Sequence, residues 1–93
     1  MITPGKVVSI TTSYKAITVS KIDAPPGLAT PMVFVPEDDV VWTWATSAAG
    51  ANAITMISGR PLNMLVVPEA DGTVMYAKAA SSTNLNIAIG PRR

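Results

Sequence analysis

Six carboxylates are the side chains with the most chemistry to offer: Asp23, Glu37, Asp38, Asp39, Glu69 and Asp71. Two carboxyl groups facing each other across a cleft can hydrolyse a glycosidic bond. Glu37 and Glu69 are the candidate pair. Each follows Val-Pro in a stretch the chain uses twice, so the pattern sets them at equivalent turns and implies no cleft. The run Glu37-Asp38-Asp39 could offer oxygens to a hard cation such as Ca²⁺, which takes roughly six to eight. Three bunched carboxylates are too few, and the run reads as a solvated acidic turn. Asp71-Gly72-Thr73 has the composition of the aspartic-protease Asp-Thr-Gly in the wrong order.

The chain has no His and no Cys. Ser-His-Asp and Cys-His nucleophilic sites are therefore excluded. Zinc sites built from nitrogen and sulfur are excluded too, as is a disulfide framework. Neither G-x-x-x-x-G-K-S/T nor G-x-G-x-x-G occurs, so no phosphate loop is present. The sequence assigns no catalytic residue, no cofactor and no metal, and it reads as a non-enzyme.

Binding chemistry has more to work with. Trp42 and Trp44 stand two apart and share one face of an extended strand. With Tyr76 they could stack on sugar rings. The core is the favoured place for them, because large aromatics dominate burial in a small domain. Arg92 and Arg93 form a basic end that could pair with an acidic patch on a partner or act as a solubilising tail. Net charge is only +1, and no aromatics interleave the basic residues. Nucleic acid is therefore not an expected partner.

Composition points outward as well. Charged residues make up 14% of the 93 residues and hydrophobic ones 48%. Soluble domains average about 25% charged. So little charge implies that other subunits cover part of the surface, as in a homo-oligomer. No apolar run approaches the ~20 residues of a membrane span. The start, "MITPGKVV", lacks the apolar core of a signal peptide. The chain is expected to be made in the cytoplasm and to have no membrane partner.

These residues must be positioned by strands. Period-2 alternation dominates. It sets Val8 and Ile10 on one face, then Ile17 and Val19, then Val40, Trp42 and Trp44. It continues with Leu62, Met64 and Val66, and with Leu85, Ile87 and Ile89. Breakers separate the runs: residues 12–14, the proline-rich 23–31, Pro36, Pro68 and Asp71-Gly72. The last is a hairpin signal. About eight short antiparallel strands are expected, forming an all-β two-sheet sandwich or small barrel in a single domain, 1–93.

The chain also repeats itself. At an offset of 32, Val35-Pro36-Glu37 meets Val67-Pro68-Glu69, Asp39 meets Asp71, Trp44 meets Tyr76 and Asn52 meets Asn84. The units span 31–60 and 61–91. Each reads as a three-stranded meander, and two of them laid face to face would close a core. Residues 6–21 would form a hairpin that extends one sheet or covers its edge.

The stretch "VPEADGTVMYAKAASSTNLNIAIG", from Val67, resembles the C-terminal hairpins of small all-β virion proteins of tailed bacteriophages. In those, a Tyr-Ala-Lys strand, a Ser/Thr/Ala loop and a Leu-x-Val/Ile strand follow one another. The resemblance covers the last quarter to third of the chain. It implies a structural virion protein without catalytic residues, of the head decoration or cement type. Such a protein binds the major capsid protein or another virion protein at the capsid surface, with a trimer at the lattice threefolds the natural guess. The other reading, from a different class, is a small carbohydrate-binding or host-recognition module using Trp42, Trp44 and Tyr76.

Overall fold

Alternation of buried and exposed side chains, rich in β-branched residues, turns most of this chain into strand. The computed structural model describes residues 3–44 and 53–90. Eight strands follow in order: β1 (Thr3–Ile10), β2 (Lys15–Thr18), β3 (Thr30–Pro36), β4 (Val40–Trp44), β5 (Ile54–Met56), β6 (Leu62–Val66), β7 (Thr73–Ala79) and β8 (Thr83–Ile89). They form two four-stranded sheets. Sheet A has the order β1-β8-β3-β6, and sheet B has the order β2-β7-β4-β5. All pairings are antiparallel.

The order has a simple origin. The first half of the chain pairs with the second half in reverse: β1 with β8, β2 with β7, β3 with β6 and β4 with β5. This one long ribbon is then wrapped so that β3 also meets β8, and β4 also meets β7. The result is a jelly roll, the double Greek-key sandwich. Among the described residues both sheets keep free edges, and the two sheets form a sandwich, not a closed barrel.

The inner faces interlock as the period predicts. Ile10, Met32, Phe34, Val66, Leu85 and Ile87 come from sheet A. Ile17, Val40, Trp42, Met75 and Ala77 come from sheet B. All are buried and form one cluster. Along one open side of the sandwich, two lysines reach between the sheets. Lys6 Nζ donates to the Thr18 carbonyl at 2.9 Å, and Lys15 Nζ donates to the Ser9 carbonyl at 3.4 Å.

Three local expectations are corrected by this topology. The stretch 6–21 is not a hairpin, because β1 and β2 belong to different sheets. Neither repeat unit is a meander. Each places its first strand in sheet A and its second in sheet B, and the third strands diverge: β5 stays beside β4, whereas β8 crosses to lie between β1 and β3. The first two strands are placed alike, and the equivalent residues Met32 and Met64 are direct partners across β3 and β6. The units lie side by side in both sheets, not face to face.

The third correction concerns Asp71-Gly72. The turn is tight: Gly72 N donates to the Glu69 carbonyl at 2.8 Å, and Glu69 N to the Thr73 carbonyl at 2.9 Å. Beyond it the chain parts, because β6 and β7 enter opposite sheets. Gly72 has φ 90°, where a side chain is strained. A Cβ there would also lie 2.8 Å from the Val19 carbonyl oxygen. That oxygen cannot move freely, because the Val19 amide is itself bonded to the Gly72 carbonyl at 3.0 Å. Thr73 N donates to Asp71 Oδ1 at 3.0 Å. The Thr73 amide, and then its hydroxyl, hold the Asp71 carboxyl below its ordinary value of 3.8.

Gly72→Ala is expected to lower stability by about 1–3 kcal/mol through combined backbone strain and clash, read as a lower urea midpoint with an unchanged slope. Asp71→Asn probes the same turn. A depressed carboxyl stabilises the fold above its unfolded pKa, and that contribution is lost as pH falls through the lower folded value. The urea midpoint of Asp71→Asn should lie below wild type at neutral pH and converge on it in acid. A gap that stays constant down to acid pH would contradict the Thr73 contact.

Candidate functional site

The outward side chains of sheet A follow from register. Phe34 and Met32 point inward, so Pro31, Val33 and Val35 point outward from β3. Val33 pairs with Ala88 on β8 and with Asn63 on β6. Val35 pairs with Asn86, which pairs in turn with Val7 on β1. Pro31 pairs with Leu65, and Gly90 N donates to the Pro31 carbonyl at 2.7 Å. Ser9 and Asn84 complete the next row.

This face is valine, alanine, proline and leucine, broken only by serine and side-chain amides. Among the described residues of its four strands it carries no charge, and Glu37 borders it where the Glu37 amide bonds the Asn84 carbonyl at 3.0 Å. Every described charge sits elsewhere. Lys6 and Lys15 bind carbonyls at the β1/β2 side. Lys78 lies on the outside of sheet B, with its Nζ 4.8 Å from the centre of the Tyr14 ring. The remaining described charges are Lys21, Asp23, Glu37, Asp38, Asp39, Arg60, Glu69 and Asp71, all on connections between strands.

The face is not flat. A shallow cleft of about 340 Å³ lies over its β6 side, lined by Pro31, Val33, Asn63, Leu65, Ala88 and Gly90. Gly90 keeps its floor low, since a Cβ there would come within 3.2 Å of Pro31 Cβ. Leu65 is 66% exposed and Val7 60%, while Val33, Val35 and Ala88 are half-buried by their neighbours. The signal for this face was present in "PMVFV", where apolar residues occupy both sides of the strand. Alternation analysis follows the core side and passes over an apolar outer side.

The aromatic trio does not form one platform. Trp42 is 2% exposed and points into the core. Trp44 lies on the same side but at the end of β4, where it is 40% exposed. Their rings meet edge-to-face, 4.8 Å apart at 84°. Tyr76 pairs with Thr43, so it points out of the opposite side of sheet B. Trp42 Nε1 is buried with no hydrogen-bond partner among the described residues. Such a group costs about 1–3 kcal/mol.

The carboxylates do not converge either. Glu37 and Glu69 sit on turns at opposite ends of the sandwich, about 20 Å apart along the strands. Asp39 Oδ1 accepts from Ser58 N at 2.8 Å, and Ser58 Oγ donates to the Glu37 carbonyl at 2.8 Å. The acidic run thus ties the β3–β4 turn to the β5–β6 turn. Among the described residues no group of three acidic side chains is arranged to hold a metal. Arg92 and Arg93 lie outside the described residues.

No family model matches this sequence, and no curated protein does. Among solved structures, the chain is similar to a cupin-2 domain containing protein from Shewanella frigidimarina, at 13% identity and a TM-score of 0.47. That match covers 95% of this chain and 69% of the other.

The two tryptophans should separate by quenching. Trp44→Phe is expected to leave a blue-shifted emission that acrylamide barely touches, from Trp42 alone. Residual red, readily quenched emission would place Trp42 outside the core.

Proposed function

We propose that this protein is a non-enzymatic structural component of a virion, a decoration protein that binds the capsid surface through the outer face of sheet A. The observation that carries this reading is the charge-free face itself. Interface centres are depleted in charge, because a charge that loses water there must be repaid by a well-placed partner. A solvated sheet face in a small domain ordinarily carries several charges. Among the described residues the strands of this one present none, while charges are abundant on the connections.

The stretch that resembles virion proteins supplies part of this surface. Asn84, Asn86 and Ala88 of β8 face outward from it. Jelly rolls occur in capsid proteins, in lectins and in cupins, so the fold is compatible with the reading and does not select it. Val7, Val33 and Leu65 would supply the apolar contact. The amides of Asn63, Asn84 and Asn86 would supply hydrogen bonds that fix orientation. The carbohydrate-binding alternative is less well served, because its aromatics point to opposite sides of sheet B.

The test is made on the tailed phage that encodes the chain. Gradient-purified particles should contain it in fixed ratio to the major capsid protein. Heads stripped of it should rebind wild type but not Val33→Lys, which puts an ammonium at the centre of the face. Absence from the particle, or equal rebinding by Val33→Lys, would sink the reading. Saturable binding to an oligosaccharide, lost in Trp44→Ala, would favour the alternative.

A further inference from the structure

The sandwich has four edge strands, and three of them are blunted. Strand β1 contains Pro4 and a register shift between Thr3 and Lys6. Strand β2 is four residues long, carries Lys15 and shifts register between Ile17 and Thr18. Strand β5 has only three residues. Short strands, prolines, bulges and lysines are the usual defences of a sheet edge against pairing with another chain.

Strand β6 has none of them. Its sequence, Leu-Asn-Met-Leu-Val, is uncharged and free of proline. It pairs with β3 through five consecutive residues without a break. Which of its backbone groups are free can be worked out. The Gly90 and Glu37 amides bond Pro31 and Asn84 carbonyls, so odd-numbered residues of β3 turn their backbone toward β8. The even-numbered residues turn toward β6, and Met32 pairs there with Met64. Leu62, Met64 and Val66 are thus bonded to β3. Asn63, Leu65 and the following Val67 direct N–H and C=O away from the sheet. Among the described residues no backbone partner reaches them.

We propose that two copies of the chain join antiparallel through this edge, with a twofold axis at Leu65. Leu65 then pairs with Leu65 of the second copy, and Asn63 pairs with Val67 in both directions. About six N–H···O bonds result, as in any antiparallel ladder of this length. The two A sheets become one continuous sheet. A second copy suits this edge because a twofold brings like residues together. A charged edge would repel itself, and this one has no charge to repel. Leu65, 66% exposed, would meet its counterpart on the outer side, and Val67, 55% exposed, would lie across from Asn63 of the second copy. An antiparallel contact between identical edges is twofold, so the assembly is a dimer and not the trimer guessed from the virion resemblance. The inference stands apart from what the sheet A face binds.

The test is molar mass by light scattering after size exclusion, over a wide concentration range, with amide hydrogen exchange beside it. Wild type should approach twice the 9.7 kDa chain mass. The Asn63, Leu65 and Val67 amides should be protected. Leu65→Lys should run at the single-chain mass and lose protection at those three amides. Its Met64 and Val66 amides should stay protected, showing that β6 still pairs with β3. Leu65→Pro removes that outward N–H and should also run at the single-chain mass, with the Asn63 and Val67 amides unprotected. A wild-type monomer at every concentration, a trimer, or a dimer that survives Leu65→Lys would overturn the proposal. None of these readings needs a capsid, so failure here is distinct from failure of particle binding.

Discussion

Strand β8 is the element on which the structure depends. It is bonded on one side to β1 and on the other to β3, and it contributes Leu85, Ile87 and Ile89 to the core. Its other side contributes Asn84, Asn86 and Ala88 to the uncharged outer face. Core and candidate surface are thus two sides of one strand. Because the period is two, a register slip by one residue would put amides inside and isoleucines out. The Gly90–Pro31 and Glu37–Asn84 bonds pin that register at both ends of the β3–β8 ladder.

Charge is distributed to match. Lysines bind across one open side, carboxylates and their partners organise the turns, and sheet A is left bare outside. The same economy explains why so few charges suffice for a chain of this size. Their placement at turns and edges keeps the ends of the sandwich wet and leaves the broad side available for contact.

Much of the fold was legible in the sequence. Every alternating run became a strand, and the inward residues were the ones that alternation selected. What alternation could not give was which strand lies beside which. The stretch 6–21 looks like a hairpin because hairpins are the shortest way to pair neighbours, yet β1 finds β8 almost the whole chain away. The repeat misled in a similar way. Similar sequences at β5 and β8 take unlike places, because β8 has a slot between β1 and β3 and β5 lies at an edge. For the candidate site, Trp42 and Trp44 were read as sharing a side, and they do. That Tyr76 lies behind them was hidden in the pairing of β4 with β7, which no local pattern encodes. The outer face of sheet A was hidden because an apolar residue between two core residues reads as more core.

The central place of β8 also shapes how the protein comes to be. A ribosome releases β1 early and β8 last of these strands. Until β8 emerges, β1 has no neighbour in sheet A, and the inner sides of β1 and β3 stay uncovered. Translation proceeds at about 5–20 residues per second, so that interval lasts seconds. The nascent chain therefore carries the apolar inner side of sheet A incomplete until its last strand is released.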